Sequence, residues 1–126
     1  MVNIGMHFEI PVTDMQRAIA FYSAVFEIEF ERAQIDGNEM ALFPFIDGAK
    51  GCSGALVRGE SYVPSLDGTR IYLTVNNIER VMADALFAGA KLLYPVTLVG
   101  EAIKVADFQD SEGNRIAFLD KAICSD

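Results

Sequence analysis

Cysteine is scarce in this 126-residue chain, with only Cys52 and Cys124. They lie far apart and form no Cys-x-x-Cys pair. A disulfide scaffold and a cysteine zinc site are therefore excluded, and the two read as free thiols in a reducing, cytoplasmic setting. Basic residues are also few. Lys and Arg number 10 against 18 Asp and Glu, for a net charge of -8. A chain this acidic repels phosphate backbones, so nucleic acid is excluded as a partner. No apolar run approaches the roughly 18 residues needed to cross a bilayer. The stretch from Met1 to Ile10 mixes polar and apolar residues and lacks the charged start and apolar core of a secretory signal. No glycine-rich phosphate loop is present, since Gly100 and Gly113 stand alone. Gly51-Cys52-Ser53-Gly54 does not have the G-x-S-x-G spacing of a nucleophile elbow. What is there is a chain of one-domain length, 52% hydrophobic and 22% charged, with a single histidine, His7.

The chain repeats itself. In His7-Phe8-Glu9-Ile10-Pro11-Val12, apolar Phe8, Ile10 and Val12 alternate with His7, Glu9 and Pro11, which predicts a half-buried strand. Thr13 followed by Gln16 is a capping-box pattern for a helix start. Met15, Ala18, Ile19, Tyr22, Val25 and Phe26 then form one apolar helical stripe. The same phase recurs 63 positions on: Ile71, Leu73 and Val75 alternate, Asn76 and Asn77 resemble a cap with Glu79 behind, and Ile78, Val81, Met82, Ala85 and Leu86 make a stripe. Gly89 stands where a helix C-terminus favours glycine. Each helix is followed by three strand candidates: 29–35, 39–45 and 54–58 in the first half, 91–98, 103–108 and 115–119 in the second. Asp36-Gly37-Asn38 is a hairpin signal. The Gly, Pro and Ser of 59–69 read as a linker between a module over 5–58 and a module over 70–121.

The predicted fold class is α+β: two βαβββ modules in tandem, forming a curved eight-stranded mixed sheet. The helices cover one face and the other curls into a cup. Alternation places His7, Glu9, Arg70, Tyr72, Thr74, Ala117 and Leu119 on the cup side, with Ile116 and Phe118 under the helix. The parity of 54–58 stays open between Ala55 with Val57 and Leu56 with Arg58. Met6, Met15, Met40 and Met82 are spaced as core filler. Phe43, Phe45, Phe108 and Phe118 read as core or wall aromatics, and Tyr62 and Pro64 as a cover over the cup mouth.

The run FEIPVTDMQRAIAFYSAVF, the linker GESYVPSLDGT and the closing DSEGNRIAFLD resemble the vicinal oxygen chelate superfamily, which includes glyoxalase I, extradiol dioxygenases and bleomycin-resistance proteins. The resemblance covers His7 to Leu119. It implies a homodimer, since strand edges at the module ends are otherwise bare. In metal-using members it implies four cup-face ligands, on the first and last strand of each module. The matching positions here are His7, Arg70, Ala117 and the stretch Gly54-Ala55-Leu56-Val57. An arginine has no lone pair to offer, alanine has no donor, and a metal site needs about three protein ligands. The expectation is no metal and no other cofactor, with His7 the one retained ligand-type residue. A shifted site using Glu9 or another carboxylate is the alternative.

Two functions from different classes follow. The first is metal-free binding of a small acidic or polar-aromatic molecule. Arg70 is then the anion anchor, and Tyr72, Ala55, Ala117 and Leu119 line the cup. The second is a divergent enzyme with lyase, isomerase or dioxygenase chemistry. There His7 acts as acid or base, and Glu9 or Arg70 tunes it. A ligand-sensing regulatory module ranks third. Against all three stands a structural reading in which Glu9 and Arg70 simply pair with each other.

Overall fold

The first strand shows why the alternation matters. In β1 (His7–Pro11), Phe8 and Ile10 enter the core beneath α1 (Met15–Phe26), while His7 and Glu9 point to the opposite face. The chain, described over residues 1–121 in this computed structural model, continues with β2 (Glu31–Ile35), β3 (Asn38–Leu42) and β4 (Ser53–Arg58). The second module repeats the order as β5 (Ile71–Thr74), α2 (Ile78–Phe87), β6 (Lys91–Val99), β7 (Ile103–Gln109) and β8 (Arg115–Asp120). Cys124 lies outside the described residues.

Both modules are wired alike. The strand orders are β1-β4-β3-β2 and β5-β8-β7-β6. The first strand of each runs parallel to the last, because the helix carries the chain back before the three remaining strands zigzag. The eight strands of the expected tandem βαβββ modules are arranged as two four-stranded mixed sheets. Among the described residues no ladder joins β1 to β5, and a cleft occupies the gap between them.

Local differences have local causes. The strand expected over 39–45 ends at Leu42, since Pro44 has no N–H for a ladder. Phe43 still turns into the core, but Phe45 is exposed. The expected capping box is not used. Asp14 is the N-cap of α1 and accepts from Arg17 N, while the Thr13 hydroxyl turns to Glu112. Asn77 caps α2, in the left-handed region that asparagine tolerates. Met15, Met40 and Met82 are buried, but Met6 is exposed because it precedes β1 and no ladder holds it. The parity of β4 is settled: Leu56 faces the helices, and Ala55 and Val57 cluster with Met40 on the other face.

One core spans both modules. α1 reaches across with Phe21, whose ring centroid is 6.0 Å from that of Phe108, and with Phe26, edge-on to Phe118 at 5.9 Å. The two helices also pack on each other. Fully burying an aliphatic or aromatic side chain contributes about 1.5–3 kcal/mol, so this shared aromatic layer is a main reason the modules stay together. Tyr22 adds a polar tie, donating its hydroxyl to Asp110 Oδ2 at 2.6 Å.

Candidate functional site

β1 and β5 run past each other in opposite directions. One cleft is lined by His7 and Phe8 together with Ile71 to Thr74. A smaller one is lined by Glu9 to Pro11 together with Thr69, Ile71 and Arg115. The larger has a volume of about 720 Å³, within the usual range for small-molecule sites. Phe8, Phe26, Phe43 and Leu73 form its apolar walls. His7, Ser53, Tyr72 and Thr74 supply its polar groups, and Cys52 stands at its margin. Cys52 and Ser53 arrive there because β4 pairs with β1 in a register that sets Ser53 opposite His7.

On the cup face of the first sheet, a short chain of polar groups forms. His7 Nε2 lies 3.3 Å from Glu9 Oε2, since residues two apart on a strand share a face. Tyr62, from the linker, donates its hydroxyl to Glu9 Oε1 at 2.5 Å. That hydrogen bond to a carboxylate, with some desolvation, raises the Tyr62 phenol above its ordinary range. The Tyr62 ring packs over Met40, Ala55 and Val57. Tyr62, expected as a cover over the cup mouth, thus lies against this face of the first sheet.

On the second sheet, Arg70 does not pair with Glu9. Its Nη1 is 3.3 Å from Asp107 Oδ2. Arg115 approaches the same oxygen with Nη2 at 2.7 Å and Nε at 2.8 Å. Asp107 is 3% exposed and lies in one register row with Tyr72 and Ala117. Neither Asp107 nor Arg115 was among the residues expected here. The signal was an acidic residue inside the apolar run Val105-Ala106-Asp107-Phe108, where a buried carboxylate requires a cation.

The expected site residues are therefore divided. His7 and Tyr72 meet in the larger cleft. Glu9 belongs to the smaller one. Arg70 lies just before β5 and lines neither cleft. Ala55, Ala117 and Leu119, expected to line the cup, line neither cleft: Ala55 and Ala117 are fully buried, and Leu119 is half-buried opposite Thr74.

The four positions that would hold a metal supply one imidazole, one arginine engaged with Asp107, and two buried alanines. This set does not fit a divalent ion. Among the described residues no group of three or more His, Cys, Asp or Glu is placed to hold one, and no helix is long and apolar enough to cross a membrane.

No family model and no curated relative matches the sequence. Solved structures do match in fold. A glyoxalase family protein from Bacillus cereus is similar at a TM-score of 0.73 and 18% identity, over 96% of this chain and 95% of that one. A glyoxylase/bleomycin resistance protein/dioxygenase domain from Frankia sp. has a TM-score of 0.72 at 14% identity, over 96% and 99%. Glyoxalase I from Zea mays is similar at a TM-score of 0.65 and 19% identity, over 91% of this chain but only 45% of its own, so the chain spans about half that enzyme's length. The chain thus has the fold of glyoxalase/bleomycin resistance/dioxygenase proteins.

Proposed function

We propose that this protein binds a small acidic or polar-aromatic molecule in the cleft between β1 and β5, without a metal. The observation that carries this reading is the cleft itself: about 720 Å³ of largely aromatic and aliphatic wall, with His7 and Tyr72 converging on it. The absence of a fitting donor set supports binding without a metal ion. A homodimer with a small molecule as its ligand is part of this reading, because the outer strands of the two sheets leave bare edges.

A thermal-shift screen of aromatic and aliphatic acids tests the reading. Hits should raise the melting temperature of the wild-type protein and lose most of that effect in Tyr72→Ala. A screen with no hits contradicts it. Elemental analysis of protein purified without chelators should find no stoichiometric divalent ion. One metal per chain that is lost in His7→Ala would overturn the metal-free reading.

One observation favours a second reading, an enzyme of lyase, isomerase or dioxygenase-related type. The Tyr62–Glu9–His7 chain orients an imidazole at the mouth of the cleft, which is how a general base is held. In that case His7→Gln removes turnover while leaving ligand affinity nearly unchanged. If affinity falls and no turnover is found in the wild type, His7 is a binding residue.

A further inference from the structure

The register of β5 against β8 pairs Ile71 with Ile116, which brings Arg70, just before β5, beside Arg115 at the start of β8. Two like charges set side by side on a sheet repel and destabilise it unless a counter-charge lies between them. Asp107 is that counter-charge, but it carries only one negative charge for two guanidinium groups. Arg115 alone would satisfy it, since it already gives Asp107 Oδ2 two short N–H contacts. Arg70 adds a third, longer one to the same oxygen. A guanidinium has five N–H donors, and among the described residues neither guanidinium has an ion-pair or hydrogen-bond partner besides Asp107. The cluster therefore keeps one unmatched positive charge on a chain whose net charge is -8. The Arg70 side chain is 44% exposed, so its remaining donors reach solvent.

The surroundings define what fits. Tyr72 lies two residues after Arg70, about 7 Å further along an extended chain, and lines the apolar cleft. A ligand held by its head on the arginine would lay its body against the Tyr72 ring.

We propose that Arg70 and Arg115, held in place by the buried Asp107, form a carboxylate seat two residues before the cleft-lining Tyr72, selecting ligands with one carboxylate on a flat apolar body. Arg70 makes the contact to the ligand. Asp107 and Arg115 are positioning residues that fix its guanidinium. This rests on the binding reading above and adds to it the ligand's charge, its shape and the group that reads them.

Isothermal titration with 2-naphthoate and its neutral analogue 2-naphthamide tests the seat. The wild-type protein should bind the acid about tenfold more tightly than the amide, with the difference shrinking as salt rises. Arg70→Gln should bring the acid down to the level of the amide and leave the amide unchanged. Arg70→Lys, which keeps the charge but not the fork, should restore part of the preference. Arg70 is exposed enough that its replacement leaves the core intact, and a thermal melt of each variant verifies this. Equal binding of acid and amide by the wild type, or an acid preference that survives Arg70→Gln, overturns the seat and leaves the cleft reading standing. Binding of neither compound overturns both.

Discussion

Arg17, in the first turn of α1, donates its Nε to Glu112 Oε2 at 2.8 Å, in the turn between β7 and β8. One ion pair thereby joins the first module to the second. Glu112 does more than pair: its Oε1 also accepts from the backbone N–H groups of Thr13 and Asp14, each at 2.9 Å. These are donors at a helix entrance with no partner of their own. α2 is held in a related way, with Ile78 N donating to Asp120 Oδ2 at 3.0 Å.

The Glu112 carboxyl is the acid-sensitive point of the fold. Burial alone would raise its pKa. The hydrogen bonds from Arg17, Asp14, Thr13 and Ser111 outweigh burial and bring it down to about 2, from an ordinary 4.5. A carboxyl depressed in the folded state stabilises the fold above its unfolded pKa. That contribution is lost as pH falls from about 4.5 toward 2. Its full value, about 3 kcal/mol at neutral pH, is an upper figure because Arg17 is half exposed. Glu112→Gln should lower the melting temperature at pH 7 and flatten its decline between pH 5 and pH 2, followed by circular dichroism. A decline identical to wild type would show that the carboxylate does not hold the modules.

Tyr22 makes a second tie between modules. Its phenol is fully buried, and burial, followed by the charge of Asp110 and the hydrogen bond to it, raises its pKa well above the ordinary value. Tyr22→Phe should cost about 1–3 kcal/mol in urea unfolding. It leaves Asp110 bonded to Asn114 and the backbone, so the loss should not reach the scale of a stranded charge. In the wild type, one tyrosine should resist ionisation in an alkaline ultraviolet titration until the protein unfolds. Full ionisation of all tyrosines before unfolding would contradict the buried placement.

Gly54 marks where β4 closes on β1. A Cβ at this position would stand 2.1 Å from the Phe8 carbonyl oxygen, backbone that has no room to move without breaking the parallel ladder. Gly54→Ala should destabilise the protein by about 1–3 kcal/mol and alter the cleft, because Phe8 is one of its walls. Unchanged stability in denaturant would show that β1 and β4 do not pair as described.

Among the described residues β6 is a nine-residue edge strand, paired on one side only. Leu92, Tyr94, Leu98 and Val99 are exposed along it. Pro95 within it lies where the ladder with β7 shifts register, a place where a strand tolerates proline. The homodimer proposed above would cover such a surface. Light scattering at micromolar concentration should return twice the chain mass of 13.8 kDa, and a value equal to one chain contradicts the dimer.

Much of this was legible in the sequence for one reason: period-two and helical patterns recur in the same phase 63 residues apart. Phe8, Ile10, Ile71, Leu73, Ile116 and Phe118 all lie on the core side, as alternation requires. The parity of β4 was not legible, because Gly54-Ala55-Leu56-Val57 is apolar at every position and the strand is covered on both faces. Tyr62 covers one side and the helices the other. The partners of Glu9 and Arg70 were not legible either. Alternation assigns a face but not a neighbour, and the neighbours proved to be Tyr62 from the linker and Asp107 from β7. The break between β1 and β5 depends on packing between modules, which no local pattern encodes.

The claim that a small organic molecule occupies the space between the first strands of the two modules is tested most directly by titrating isotope-labelled protein with 2-naphthoate and following backbone amide signals by NMR. The account predicts saturable shifts confined to His7, Phe8, Ser53 and the stretch from Arg70 to Leu73. Shifts that gather on another surface, or none at all, would contradict it.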